Sequence, residues 1–75
     1  MHKSISEKEL RARLAQNLRR YRASQEVSQE GLAARAGLHR TFVSQIEREL
    51  KNLSLDSLVK LANALKVDPS DLLKA

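Results

Sequence analysis

Two apolar patterns of helical period meet at Gly37, and this junction constrains the chain more than any other feature. Before it, Leu32, Ala33 and Ala36 recur at helical spacing behind Ser28, a residue type that caps helix N-termini. After it, Phe42, Val43, Ile46 and Leu50 begin a new pattern. The spacing predicts helices over 29–36 and 40–49, joined by only Gly37-Leu38-His39. A chain that reverses so soon after a helix needs a left-handed residue there, and glycine adopts that conformation at least cost. Ala33 falls where two such helices approach closest, so a larger side chain would push them apart. Val43 and Ile46 then plug the second of them into a core.

The rest of the chain is also helical in pattern. Ser6-x-x-Glu9 has the form of a capping box, and Leu10, Leu14, Leu18 and Tyr21 follow at helical spacing, so a first helix is predicted over 7–24. Asn52-Leu53-Ser54 is a break with Ser54 as N-cap. Leu55, Leu58, Val59, Ala62 and Leu65 then predict a helix over 55–65. Asp68-Pro69-Ser70-Asp71 reads as the start of a fifth helix, with Asp as N-cap and Pro in the first position. Leu72 and Leu73 lie on that last turn. No β pattern, internal repeat or low-complexity tract is present. The expectation is an all-α, five-helix single domain over 1–75, with residues 1–5 frayed.

Composition narrows the function. A chain of 75 residues buries only roughly 60% of its unfolded surface, which leaves little depth for an enclosed active site. There is no Cys, so neither disulfides nor thiolate metal sites are available. His2 and His39 are the only imidazoles, and no carboxylate–His or metal-ligand cluster has workable spacing. Gly31 and Gly37 form no phosphate-cradling loop. An enzyme is therefore not expected, and neither is a cofactor, metal or small-molecule ligand. The aromatics are Tyr21 and Phe42 alone, too few for base-stacking platforms. The longest apolar run is Leu32-Ala33-Ala34, which excludes a membrane span and a signal-peptide core, so the expected location is the cytoplasm.

The net charge of +5 is uneven. Residues 1–53 hold 11 Lys+Arg against 6 Asp+Glu, whereas 54–75 hold 3 against 3. One part of the chain is suited to a polyanion; a solubilising surface is the plain alternative. The clustered Arg19, Arg20 and Arg22 do not decide between them.

Two short helices joined by a Gly-containing three-residue turn form a helix-turn-helix, whose second helix enters the DNA major groove. Ser28-Gln29-Glu30-x-Leu32-Ala33, Ala36-Gly37-Leu38, Ser44-Gln45-Ile46-Glu47-Arg48, Asn52-x-Ser54-Leu55 and Leu61-Ala62-x-Ala64-Leu65 resemble the lambda-repressor-like (Cro/XRE) DNA-binding family. The likeness spans about 14–73. The run Leu38-His39-Arg40-Thr41-Phe42-Val43-Ser44 is also similar to the small controller proteins of restriction–modification systems. One residue departs from the pattern. The family has Gly two residues after the Glu of its recognition helix, and Glu49 stands there, which is expected to extend the third helix and alter the path of 50–53.

Arg40, Thr41, Ser44 and Gln45 occupy the side of the third helix opposite Phe42, Val43 and Ile46. Arg suits guanine, Gln suits adenine and Thr adds a methyl contact to thymine. The resemblance implies that these four read bases; the plain alternative is an exposed helix face. Gln29 opens the second helix, where a side chain and free amides hold a phosphate, and the resemblance implies a backbone clamp there. Arg48, Lys51 and Asn52, just past the third helix, are expected phosphate contacts, with Arg35 and Arg20 weaker ones. His39 either caps the third helix or touches a phosphate. The resemblance implies that Arg22 and Glu47 form a buried salt bridge between the first and third helices.

The neutral part, 55–75, is rich in leucine for its size. Leu55, Leu58, Leu65, Val67 and Leu72 are expected to supply an isologous homodimer interface, with closure of the monomer core as the alternative. The reading is a dimeric, sequence-specific transcription regulator on a near-palindromic double-stranded DNA site. An antitoxin that caps a toxin and autoregulates its operon is the second reading.

Overall fold

A computed structural model describes residues 4–75. They form α1 (Glu7–Ser24), α2 (Gln29–Ala36), α3 (Arg40–Glu47), α4 (Leu55–Leu65) and a 3₁₀ turn (Pro69–Leu72). Every element except α3 starts on a side-chain cap. Ser6 Oγ accepts from the Glu9 amide at 3.1 Å, Ser28 Oγ from Gly31 at 2.9 Å and Ser54 Oγ from Ser57 at 3.1 Å. These bonds satisfy amides that have no intrahelical partner. Asp68 and Asp71 make a reciprocal capping box around Pro69. The fraying expected of residues 1–5 lies in part outside the described residues; Ser4 and Ile5 precede α1 without regular structure.

All four α-helices end alike. Glu26, Gly37, Glu49 and Lys66 take φ of 54°, 69°, 62° and 60°. The next amide then reaches back five residues, from Val27 to Arg22 O, Leu38 to Ala33 O, Leu50 to Gln45 O and Val67 to Ala62 O, at 2.9–3.0 Å. This is the Schellman arrangement, in which a left-handed residue lets the chain satisfy its last carbonyls and turn away. It corrects the expected 40–49 boundary. Glu49 does not extend α3; it takes the left-handed conformation itself, and α3 stops at Glu47.

The expected fifth helix is corrected as well. Its capping signals are real, but the element is a single 3₁₀ turn. Leu72 drops into the core, and Asn17 Nδ2 donates to the carbonyls of Leu72 and Lys74, both at 2.9 Å. Asn17 is 2% exposed and thereby ties α1 to the C-terminal segment.

α2 packs on α3 and α4, and α1 packs on α3 and the 3₁₀ turn, around a core of Leu14, Leu18, Leu32, Val43, Ile46 and Leu61. Leu58, Leu65 and Leu72 belong to the same core, which corrects their place in an expected dimer interface. The 3₁₀ turn folds back on α1 and α4, so the 58–61–65 stripe closes the monomer. Val67 is half-buried against that core. On α4 the exposed apolar side chains are Leu55, at 81%, and Val59, at 45%. No helix among the described residues is long and apolar enough to cross a membrane.

A Cβ on Gly37 would meet nothing within 4 Å, so Gly37→Ala changes only the backbone cost of positive φ. It should destabilise by about 1 kcal/mol, and Glu49→Gly should stabilise by about 0.5–1 kcal/mol. Urea melts of the two variants check both signs.

Candidate nucleic-acid interface

The placement of α3 decides which side chains can reach a ligand. Val43 and Ile46 lock one side into the core. On the other side Arg40 and Thr41 are exposed and Ser44 and Gln45 half-buried, and together with Arg48 they line a shallow polar depression. Arg40 also borders a second depression with Arg22, Ser28, Gln29 and Glu30 at the start of α2. The four expected base-reading residues are therefore gathered on one surface, next to the N-terminus of α2.

That surface is held from behind by Glu47, which is 4% exposed. Arg22 Nε donates to Glu47 Oε2 at 2.6 Å and Arg22 Nη2 to Oε1 at 2.8 Å, a bidentate pair. Arg22 Nη1 donates to Val27 O at 3.0 Å. Gln29 Nε2 donates to Glu47 Oε1 at 3.0 Å, and Arg19 donates to the Glu47 carbonyl. One carboxylate and its own carbonyl thus bind α1, α2 and α3 together. Burial acts to raise the Glu47 carboxyl, but the hydrogen bonds from Arg22 and Gln29 and the neighbouring arginine charges outweigh it, so it titrates below its ordinary value. The hydrogen bond to Glu47 leads in holding Arg22 above its ordinary value, against the opposing effect of burial.

The expected phosphate contacts are placed unequally. Gln29 opens α2, with its side-chain amide directed at Glu47. Arg48 and Lys51 are exposed and form no ion pair among the described residues. Asn52 Oδ1 accepts from Arg11 Nη1 at 2.7 Å. The capping alternative for His39 holds in position alone. It occupies the N-cap position of α3 but makes no side-chain cap bond; its carbonyl accepts from Phe42 instead. Arg20, a weaker candidate, donates to Asn17 Oδ1, whereas Arg35 is exposed.

Several residues that build this surface carry no clear signal in the sequence. Arg19 is one of three clustered arginines, and nothing in its spacing marks it as the donor to the α3 C-terminus, where a cation suits the helix dipole. Arg11 pairs with a residue 41 positions away. Gln25 Nε2 donates to Leu65 O at 2.8 Å, joining the ends of α1 and α4. Asn17 alone could have been noticed, as a polar residue within the Leu14, Leu18, Tyr21 stripe.

Removing the Glu47 carboxylate leaves Arg22 without its partner, and Glu47→Ala should cost about 3 kcal/mol. Because folded Glu47 titrates below the unfolded group, its stabilisation is complete well above pH 4.5 and fades as pH falls through the lowered folded value. The gap in melting temperature between wild type and Glu47→Gln should therefore be constant near neutrality and narrow on acidification.

With this geometry in view, comparisons with known proteins give consistent matches. The family HTH_3, helix-turn-helix, matches residues 18–72. The control protein C.BamHI of Bacillus amyloliquefaciens is 46% identical over 65 residues, covering 85% of this chain and 80% of that protein. The control protein C.SmaI of Serratia marcescens is 45% identical over 60 residues, covering 80% of this chain and 71% of that protein. The crystal structure of the restriction-modification controller protein C.AhdI from Aeromonas hydrophila superposes with a TM-score of 0.80 at 40% identity, covering 83% of this chain and 94% of that one. These relatives give the antitoxin reading no support. The chain belongs to the Cro/XRE-type helix-turn-helix family HTH_3, a family of DNA-binding transcription regulators.

Proposed function

We propose that the chain acts as a homodimer on a near-palindromic operator, each copy laying α3 in the major groove of one half-site. The observation that carries this reading is the gathering of Arg40, Thr41, Ser44 and Gln45 on the outward side of a helix whose other side is locked in the core. Arg40 is assigned to guanine, where its fork matches O6 and N7, and Gln45 to adenine; Thr41 and Ser44 add methyl and hydroxyl contacts. Gln29, His39, Arg48, Lys51 and Asn52 are assigned to phosphates, which set register and carry little sequence information. Gln29 has a second N–H for this while the first stays on Glu47.

The dimer reading rests on Leu55 and Val59. They lie one helical turn apart on α4, and both are exposed. Covering them with the same face of a second copy makes an isologous interface, and two α3 helices one DNA turn apart then meet two half-sites. The controller proteins that the chain resembles support the same office for it, a small regulator of transcription.

Arg40→Ala should abolish the preference for a specific duplex and leave weak binding to random DNA. In a mobility-shift titration, unchanged affinity for both would remove the base-reading role. Two or three phosphate-facing cations per copy predict a log–log salt slope between about −3.5 and −5.5 for the dimer. Leu55→Lys with Val59→Lys should give monomers by sedimentation and lower the slope by about half.

A further inference from the structure

We infer that Arg11 is a positioning residue for DNA binding: it holds the Asn52 side chain with its amide N–H groups turned outward, toward a phosphate. The inference rests on the phosphate role proposed above for Asn52. Arg11 lies in the first half of α1, on the far side of the fold in sequence terms, yet its Nη1 donates to Asn52 Oδ1 at 2.7 Å. Glu7, one turn earlier on α1, has a carboxylate oxygen 3.6 Å from the same nitrogen and steers the guanidinium.

The chemistry of asparagine gives this contact its consequence. The side chain carries one acceptor oxygen and one donor NH₂ on the same planar group. When Arg11 engages the oxygen, the NH₂ points away from α1. A phosphate accepts hydrogen bonds and offers no donor, so only this orientation is useful; the flipped amide would set oxygen against oxygen. The surrounding loop supplies little other restraint. Leu50, Lys51 and Asn52 are exposed, with Leu50 at 61%, and the bond from Arg11 is the one side-chain hydrogen bond to 50–53 among the described residues. Arg11 is itself steadied, half-buried beside Leu10, Leu14, Leu53 and Leu73.

The test titrates wild type, Asn52→Ala, Arg11→Met and the double variant against a duplex that the wild-type protein enriches from random-sequence DNA, at several salt concentrations. Urea melts establish that each variant is folded; if Arg11→Met is not, Arg11→Gln is read in its place by the same criteria. Asn52→Ala should weaken binding about three- to ten-fold, the worth of one hydrogen bond. Arg11→Met should weaken it by a similar factor, and the double variant should be no weaker than Asn52→Ala alone. The salt slope of Arg11→Met should equal that of wild type. Wild-type affinity for Arg11→Met beside a weakened Asn52→Ala overturns the positioning role and leaves the phosphate contact standing. A slope reduced by about 0.9, or losses that multiply in the double variant, makes Arg11 an independent charge contact and also overturns it. An unaffected Asn52→Ala removes the phosphate role and the inference with it.

Discussion

The Glu47 carboxylate is the contact on which the arrangement of α1, α2 and α3 depends. It takes two hydrogen bonds from Arg22 on α1 and one from Gln29 on α2, while it sits at the end of α3. A buried ion pair is weak evidence of net stability, because taking both charges out of water offsets much of their attraction. What such a pair supplies here is geometry. The bidentate fork has one good orientation, so the outward side of α3 is presented at a set angle to the N-terminus of α2. The outward side of α3 and the start of α2 then form one surface.

The same pair changes the meaning of the net charge. A chain of +5 invites the view that its arginines face an anion. Arg11, Arg19, Arg20 and Arg22 instead donate to protein oxygens. Most of these bonds join α1 to a distant element, so these four arginines help assemble the fold. Arg35, Arg40, Arg48 and Lys51, on or beside the helix-turn-helix, form no ion pair among the described residues. The net charge therefore says less about this surface than the positions of the charges do.

What could be read from the sequence was local. Ser28, Ser54 and Asp68 sit at the caps they announce, and Gly37 takes the left-handed turn its type suits best. Glu26, Glu49 and Lys66 adopt the same conformation without glycine, so nothing in their chemistry announces it, and α3 ends two residues before the boundary its spacing predicts. The α4 leucines show a second limit. Helical spacing shows that Leu58 and Leu65 share a stripe, but it is the same whether that stripe meets the monomer's own 3₁₀ turn or a second copy. Only the return of 69–72 over α1 and α4 settles which. The site followed the same division. Spacing alone grouped Arg40, Thr41, Ser44 and Gln45, whereas the long-range bonds from Arg19 to the end of α3 and from Arg11 to Asn52 in the following loop have no counterpart in periodicity.

In the role proposed here, the outward side of α3 reads bases in a symmetric pair. Selection of bound sequences from random duplex DNA tests it most directly. The expected result is a near-palindromic consensus whose half-sites are about one helical turn apart. Enrichment of no consensus, or of a single half-site with no symmetric partner, would contradict it.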